Sequence, residues 1–253
     1  MILDMFSLKG KVAVVTGANT GLGQGMCVAL AQAGADVVGV ARRDCDGTGK
    51  LVEENGGRFL YIKADLSSME PVEYIIKETV EPFGHMDILV NNAGIIKRND
   101  ALEYTEEDWD SVVFINQKLT FFQCQAAAKQ FIAQKSGGKI INIASMLSYQ
   151  GGIRVPSYTA SKSAVLGLTK AMANEWAKYK INVNGIAPGY MATNNTQALR
   201  SDDDRSEEIL SRIPAGRWGT PQDMAGAVVY LASAASDYVN GFTLAVDGGW
   251  LAR

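Results

Sequence analysis

Residues 11–23 read Lys11-Val12-Ala13-Val14-Val15-Thr16-Gly17-Ala18-Asn19-Thr20-Gly21-Leu22-Gly23, and this stretch decides the fold. Val12 to Val15 are apolar without alternation, the pattern of a strand covered on both faces. From Leu22 to Ala33 apolar positions return at helical spacing, and Gly34 supplies a stop. Gly17, Gly21 and Gly23 therefore lie where a buried strand turns into a helix. Unpaired N–H groups and the helix dipole make such a start attractive to an anion, and glycines let a pyrophosphate approach the backbone. Asn19, Thr20 and Leu22 complete the candidate phosphate site.

Working outward, apolar strands alternate with amphipathic stretches. Strands are expected at about 36–41, 58–64, 87–91, 139–144, 182–186 and 243–246. Helices are expected at 71–81, over two stretches within 105–135, and from near Pro156–Tyr158 to about Lys178. This alternation implies parallel pairing through right-handed crossovers. The expected class is α/β, a three-layer Rossmann-type doubly wound fold with a seven-stranded parallel sheet. No repeat or linker divides residues 1–253, so one domain is expected. The polar stretch around Ser201-Asp202-Asp203-Asp204-Arg205 breaks the rhythm, and a substrate lid is expected at about 190–214.

Composition narrows the function. The chain has 253 residues, 47% hydrophobic and 20% charged, with a net charge of -3, which leaves little to hold a nucleic acid. No run approaches a membrane span, and no signal-peptide pattern opens the chain, so a cytoplasmic protein is expected. Cys27, Cys45 and Cys124 are too widely spaced for a disulfide framework or a zinc site, and no metal is expected. His85 is the single histidine, placed in a loop ahead of a strand.

Tyr158-Thr159-Ala160-Ser161-Lys162 sets a phenol and an ammonium one helical turn apart on one face. A nearby fixed positive charge stabilises a phenolate, so Tyr158 is expected to be lowered toward a useful proton-transfer range. Ser145, closing the fifth strand, can hold a substrate oxygen as charge develops on it. At the end of the second strand stands Val40-Ala41-Arg42-Arg43-Asp44. A carboxylate there suits the ribose of NAD, whereas an arginine suits the 2′-phosphate of NADP. Arg42 and Arg43 favour NADP; Asn19, Thr20 and Asp44 pull the other way.

The spacing Thr-Gly-x3-Gly-x-Gly, with Asn91-Asn92-Ala93-Gly94 after the fourth strand and the Ser145, Tyr158 and Lys162 set, resembles the short-chain dehydrogenase/reductase family over essentially the whole chain. The resemblance implies a fourth catalytic residue at Asn116, anchoring water toward the lysine. It implies cofactor contacts at Asp65 and Leu66, at Asn92, Ala93 and Gly94, at Pro188 and Gly189, and at Thr193. Lys162 would also bond the nicotinamide ribose, with Tyr158 beside it.

The segment from Met146 to Ser157 joins two catalytic positions and must wall the substrate pocket. Arg154 within it is a candidate carboxylate clamp or a surface contact. Gln150, Tyr190 and Met191 are further substrate candidates beside Ser145 and Tyr158. The runs 186–196, 212–219 and 246–253 resemble the members of the family that oxidise keto-deoxy sugar acids in uronate catabolism, usually with NAD and as homotetramers. An apolar C-terminus bearing Trp250 is expected at a subunit contact. Gluconate 5-dehydrogenase or 3-oxoacyl reductase activity would keep the same four residues. A non-catalytic, cofactor-sensing binding protein would usually lack one of them.

Overall fold

Hydrophobic strands with no alternation must be covered on both sides, and the computed structural model of all 253 residues shows how. Seven strands form one parallel sheet in the order β3-β2-β1-β4-β5-β6-β7. They are β1 (Val12–Thr16), β2 (Asp36–Ala41), β3 (Phe59–Lys63), β4 (Ile88–Asn91), β5 (Gly138–Ile143), β6 (Ile181–Pro188) and β7 (Thr243–Val246). Along β1, Ala13 and Val15 join one core and Val12 and Val14 the other, which explains its uninterrupted apolar run.

One face is covered by α1 (Gly21–Gln32), α2 (Asp46–Glu54) and α9 (Ala225–Ala232), through Met26, Leu30, Val52 and Leu231. The other is covered by α3 (Pro71–Phe83), α5 (Thr120–Ala133) and α6 (Pro156–Trp176), through Ile75, Phe131 and Met172. Between α4 (Glu106–Val113) and α5 the chain makes a π-helical stretch, Phe114–Leu119. After β6 come the short α7 (Gln197–Arg200) and α8 (Asp203–Arg212). Asp202 caps α8 by accepting from the Arg205 N–H at 3.0 Å.

The sequence reading did not foresee α2 or α9. The two glycines of α2 weaken its helical signal, and Gly49 is required because a Cβ there would meet the Phe59 ring at 2.8 Å. In α9 the run Ala-Gly-Ala-Val-Val-Tyr-Leu-Ala is apolar enough to read as strand or helix. No helix of the chain is long and apolar enough to cross a membrane.

The chain winds from β1 to β3 on one side and from β4 to β7 on the other. The crevice at the carboxyl ends of β1 and β4 is therefore the topological switch point, where ligands bind in open α/β sheets. His85 lies at the opposite end of β4. There its ring contacts the Asp87 carboxylate at 3.1 Å and the Gly10 carbonyl at 3.2 Å. All three cysteines are buried free thiols, and burial pushes Cys124 up to about 12.

Trp250 is 5% exposed within the single chain. It packs with Ile209 and Ile213, under Arg212 at 4.3 Å and against Tyr190 at 4.9 Å. Its apolar surface is thus already covered within the single chain.

Candidate active site

The glycine turn is closed by its own packing. Gly17 holds a φ of 68°, which favours glycine, and a Cβ on Gly23 would sit 2.1 Å from the Gly17 carbonyl oxygen. The Asn92 side chain donates to the carbonyls of Thr16 at 2.9 Å and Gly17 at 3.2 Å. The N–H groups of Asn92 and Ala93 in turn donate to the Thr16 hydroxyl at 3.1 and 3.0 Å. Thr48, from the unforeseen α2, is wholly buried and donates to the Ala18 carbonyl at 2.9 Å.

Helix α1 begins without a side-chain cap at Thr20, unlike α4 and α8, whose starts are capped by Thr105 and Asp202. The Gln24 N–H reaches the Thr20 carbonyl at 3.3 Å, which leaves the N–H groups of Gly21, Leu22 and Gly23 for an anion. Thr193 covers this start: its methyl lies 3.5 Å from where a Gly21 Cβ would be. Gly189, after Pro188, donates its N–H to the Val246 carbonyl at 3.0 Å and passes so close to Asp247 that a Cβ would meet its Cα at 2.6 Å.

Toward the far edge, Arg42 is exposed at the end of β2. Asp65, next to the buried Leu66, accepts from the Ser67 N–H at 3.0 Å. That bond, helped by the charge of Arg42, holds its carboxyl below the ordinary range.

The reacting groups meet at the ends of β4, β5 and α6. Asn116 is 1% exposed on the π-helical stretch, an irregularity frequent at functional sites. Its side chain clamps the Ile95 backbone, accepting from its N–H at 2.9 Å and donating to its carbonyl at 2.9 Å. It also donates to the Ser161 hydroxyl at 3.2 Å. Ser145 follows β5, and its Oγ accepts from the Leu147 N–H at 3.1 Å. Ser148 ties this turn to α6 by donating to the Lys162 carbonyl at 2.7 Å.

Pro156 starts α6, so Tyr158 stands in its first turn and Lys162 one turn on, with Nζ 5.8 Å from the centre of the Tyr158 ring. The two share one face, as their spacing predicts. Their protonation differs from the expectation. Burial raises Tyr158, opposed by its hydrogen bond with Ser145 and the charge of Arg98. Burial alone lowers Lys162 to about 8. The reason is geometric: Nζ lies over the ring rather than at the phenol oxygen, and it donates to the Ile143 carbonyl at 2.6 Å. An ammonium has three donors, so two remain for hydroxyls of a ligand. A buried, under-bonded ammonium beside a glycine-lined anion site fits a ribose-bearing dinucleotide.

Of the substrate candidates, Tyr190 packs edge-on between Trp218 at 5.4 Å and Trp250 at 4.9 Å. Met191 is 4% exposed and bridges Gly219. Gln150 is half-buried. The Arg154 side chain turns to Asp100, Nε to Oδ1 3.4 Å, on the surface. Arg98, which the sequence reading passed over, has its charge felt at both Tyr158 and Tyr190. An exposed arginine in an irregular loop carries no spacing signal, so only the fold reveals it.

A dinucleotide crevice facing a phenol, a hydroxyl and an ammonium defines a nicotinamide-dependent oxidoreductase of CH–OH groups. The chain belongs to the short-chain dehydrogenase/reductase family. The family model for enoyl-(acyl carrier protein) reductase matches residues 17–251. The chain is 66% identical, over the full length of both proteins, to the 2-dehydro-3-deoxy-D-gluconate 5-dehydrogenase of Escherichia coli strain K12. It superposes with a TM-score of 0.90 on an Agrobacterium tumefaciens protein assigned as a 2-deoxy-D-gluconate 3-dehydrogenase and solved with NADP. Identity there is 55%, covering 98% of this chain and 99% of the other. A gluconate 5-dehydrogenase from Burkholderia cenocepacia J2315, in complex with NADP and tartrate, gives a TM-score of 0.94 at 38% identity with full coverage of both chains.

Proposed function

We propose that the chain interconverts 2-dehydro-3-deoxy-D-gluconate and its 2,5-diketo form, in cytoplasmic uronate catabolism, as a homotetramer. The observation that carries the chemistry is the meeting of Ser145, Tyr158 and Lys162 beside the Asn116-clamped Ile95 backbone. The 66% identity to a dehydrogenase of that name supports the substrate.

In the oxidative direction Ser145 holds the substrate hydroxyl, and Tyr158 acting as the phenolate takes its proton as the hydride leaves. The bound nicotinamide supplies the hydride acceptor, or the donor in reverse. Lys162, with its two further donors, orients the ribose hydroxyls, while Ser145 and the charge of Arg98 favour negative charge on the phenol oxygen. Gly17, Asn19, Thr20, Gly21, Leu22 and Gly23 hold the pyrophosphate. Asp65, Leu66 and residues 92–94 flank the adenosine, and Pro188, Gly189 and Thr193 the nicotinamide. Segment 190–214, with α7 and α8, serves as the lid. Gln150, Arg154, Tyr190 and Met191 belong to the substrate side.

Steady-state assays with purified protein test the reading. Activity is expected on 2-dehydro-3-deoxy-D-gluconate, well above that on gluconate or a 3-oxoacyl thioester. A preference for either of the latter would replace this substrate. Cofactor choice is read by Arg42 on this proposal. Arg42→Ala is expected to raise KM for NADPH about tenfold, the scale of one charge-assisted contact, and to leave NADH within about twofold. Equal effects on both cofactors would remove Arg42 from that role.

A further inference from the structure

The segment that joins β2 to α2 carries Arg42, Arg43, Asp44 and Asp46 as exposed side chains, and none of them enters an ion pair. Free charges on a short loop discriminate between ligands only if the backbone beneath them is held. Here one residue of the glycine turn holds it at both ends. Ahead of the loop, the N–H groups of Gly17 and Ala18 donate to the Val40 carbonyl at 2.8 and 3.3 Å. Behind it, the Ala18 carbonyl accepts from the Thr48 hydroxyl at 2.9 Å. Ala18 is itself wholly buried, so it is a fixed point for both attachments.

A threonine within a helix commonly turns its hydroxyl back to a carbonyl of the same helix. Thr48, the third residue of α2, reaches outward instead. Its hydroxyl donates to Ala18 and accepts from the Gln24 side-chain amide at 3.0 Å, and Gln24 lies in the first turn of α1. This is the one side-chain hydrogen bond between α2 and residues 17–20. The start of the loop is thus tied by backbone, with the Ala41 carbonyl also accepting from the Ala64 N–H at 3.1 Å. Its return into α2 is tied by a single hydroxyl, between Gly47 and Gly49, which give that helix start little stiffness of its own. Cys45 is buried in the core beside it but bonds only the Arg43 carbonyl of its own loop.

We infer that Thr48 is a positioning residue for cofactor choice. Its hydroxyl sets the charged loop 42–44 at a fixed place relative to the phosphate turn, and so lets that loop tell a ribose 2′-phosphate from a 2′-hydroxyl. The pyrophosphate grip belongs to the N–H groups of the turn and does not involve the loop. Contacts of an arginine with a phosphate, in contrast, depend on the geometry in which the guanidinium is presented. Loss of the Thr48 bond therefore acts on discrimination rather than on dinucleotide binding as such. The inference rests on the reading of Arg42 at the ribose end and extends it to a side chain that touches no cofactor.

The test is the pair of dissociation constants for NADPH and NADH, measured on purified protein by fluorescence titration, with kcat for each cofactor alongside. In Thr48→Val, which keeps the shape and loses the hydroxyl, the ratio of the two constants is expected to shrink about fivefold toward one, the scale of one hydrogen bond. The value of kcat at saturating cofactor should stay within about twofold, and Thr48→Ser should return the ratio to within about twofold of wild type. Thr48→Ala removes the same bond and repeats the measurement should the valine variant not fold. A ratio unchanged in both variants, or an equal weakening of both cofactors, makes Thr48 a structural residue and overturns the inference. A wild type that binds the two cofactors equally overturns it as well. Arg42→Ala separates the two readings. If it leaves the ratio unchanged while Thr48→Val shrinks it, Thr48 still positions the loop, and the 2′ group is met by Arg43 or Asp44 instead.

Discussion

Tyr158→Phe is expected to lower kcat by about 10³-fold or more, at the upper end of what one proton-transferring group contributes, while NADPH binding stays within about twofold. The change removes a single oxygen. The ring keeps its place in the first turn of α6 and its face toward Nζ of Lys162. The lost oxygen is the one that Ser145 bonds and that Arg98 acts upon. Neither the single histidine nor the side chains of Asn116 and Ser161 can replace it as the proton carrier. His85 is at the amino end of β4, held by Asp87 and the carbonyls of Phe83 and Gly10. The side chains of Asn116 and Ser161 bond each other, and neither titrates. Fluorescence titration separates binding from turnover. A variant retaining a tenth of wild-type kcat would mean that the proton leaves by another route.

The strands and the glycine turn were legible because burial on both faces writes itself into the sequence. Val12–Val15 must satisfy two cores at once, and a Cβ at Gly23 would collide with its own turn. The pair Tyr158 and Lys162 was legible for the same local reason, a fixed helical step. What could not be read depends on contacts distant in sequence. Arg98 meets Asn195 across 97 positions, and Thr48 supports the turn at Ala18 from a helix whose glycines disguise it. Asn116 was reached only through family resemblance, since the π-helical stretch that carries it has no simple periodicity. Trp250, read from hydrophobicity as a subunit contact, is already only 5% exposed within the single chain. The protonation of the pair was misread for a related reason. Sequence spacing gives proximity, but burial sets the sign, and burial acts against charge on both partners.

Lys162→Met is expected to abolish turnover and yet stabilise the fold. The activity loss should again be about 10³-fold or more, because the variant loses the positive charge beside the phenol and the donors for ribose hydroxyls. The stability gain follows from burial. Lys162 is 5% exposed, and its folded value of about 8 lies below its ordinary 10.5. Between those two values the unfolded chain binds more protons than the folded one, so this group makes wild-type stability rise with pH across that window. Below about pH 8 both states are charged and the full penalty applies, at most about 3 kcal/mol at 1.36 kcal/mol per unit. Methionine removes that penalty but leaves the Ile143 carbonyl without its partner, which costs about 1 kcal/mol. The balance is about 1–2 kcal/mol in favour of the variant, a rise in Tm of about 2–8 °C for a chain of this size. Differential scanning calorimetry at pH 7 should show the variant melting higher, and the gap should narrow by pH 10 as wild-type Lys162 loses its proton. A variant that melts lower than wild type at both pH values would make the ammonium a structural group, bonded well enough by Ile143 to offset its burial.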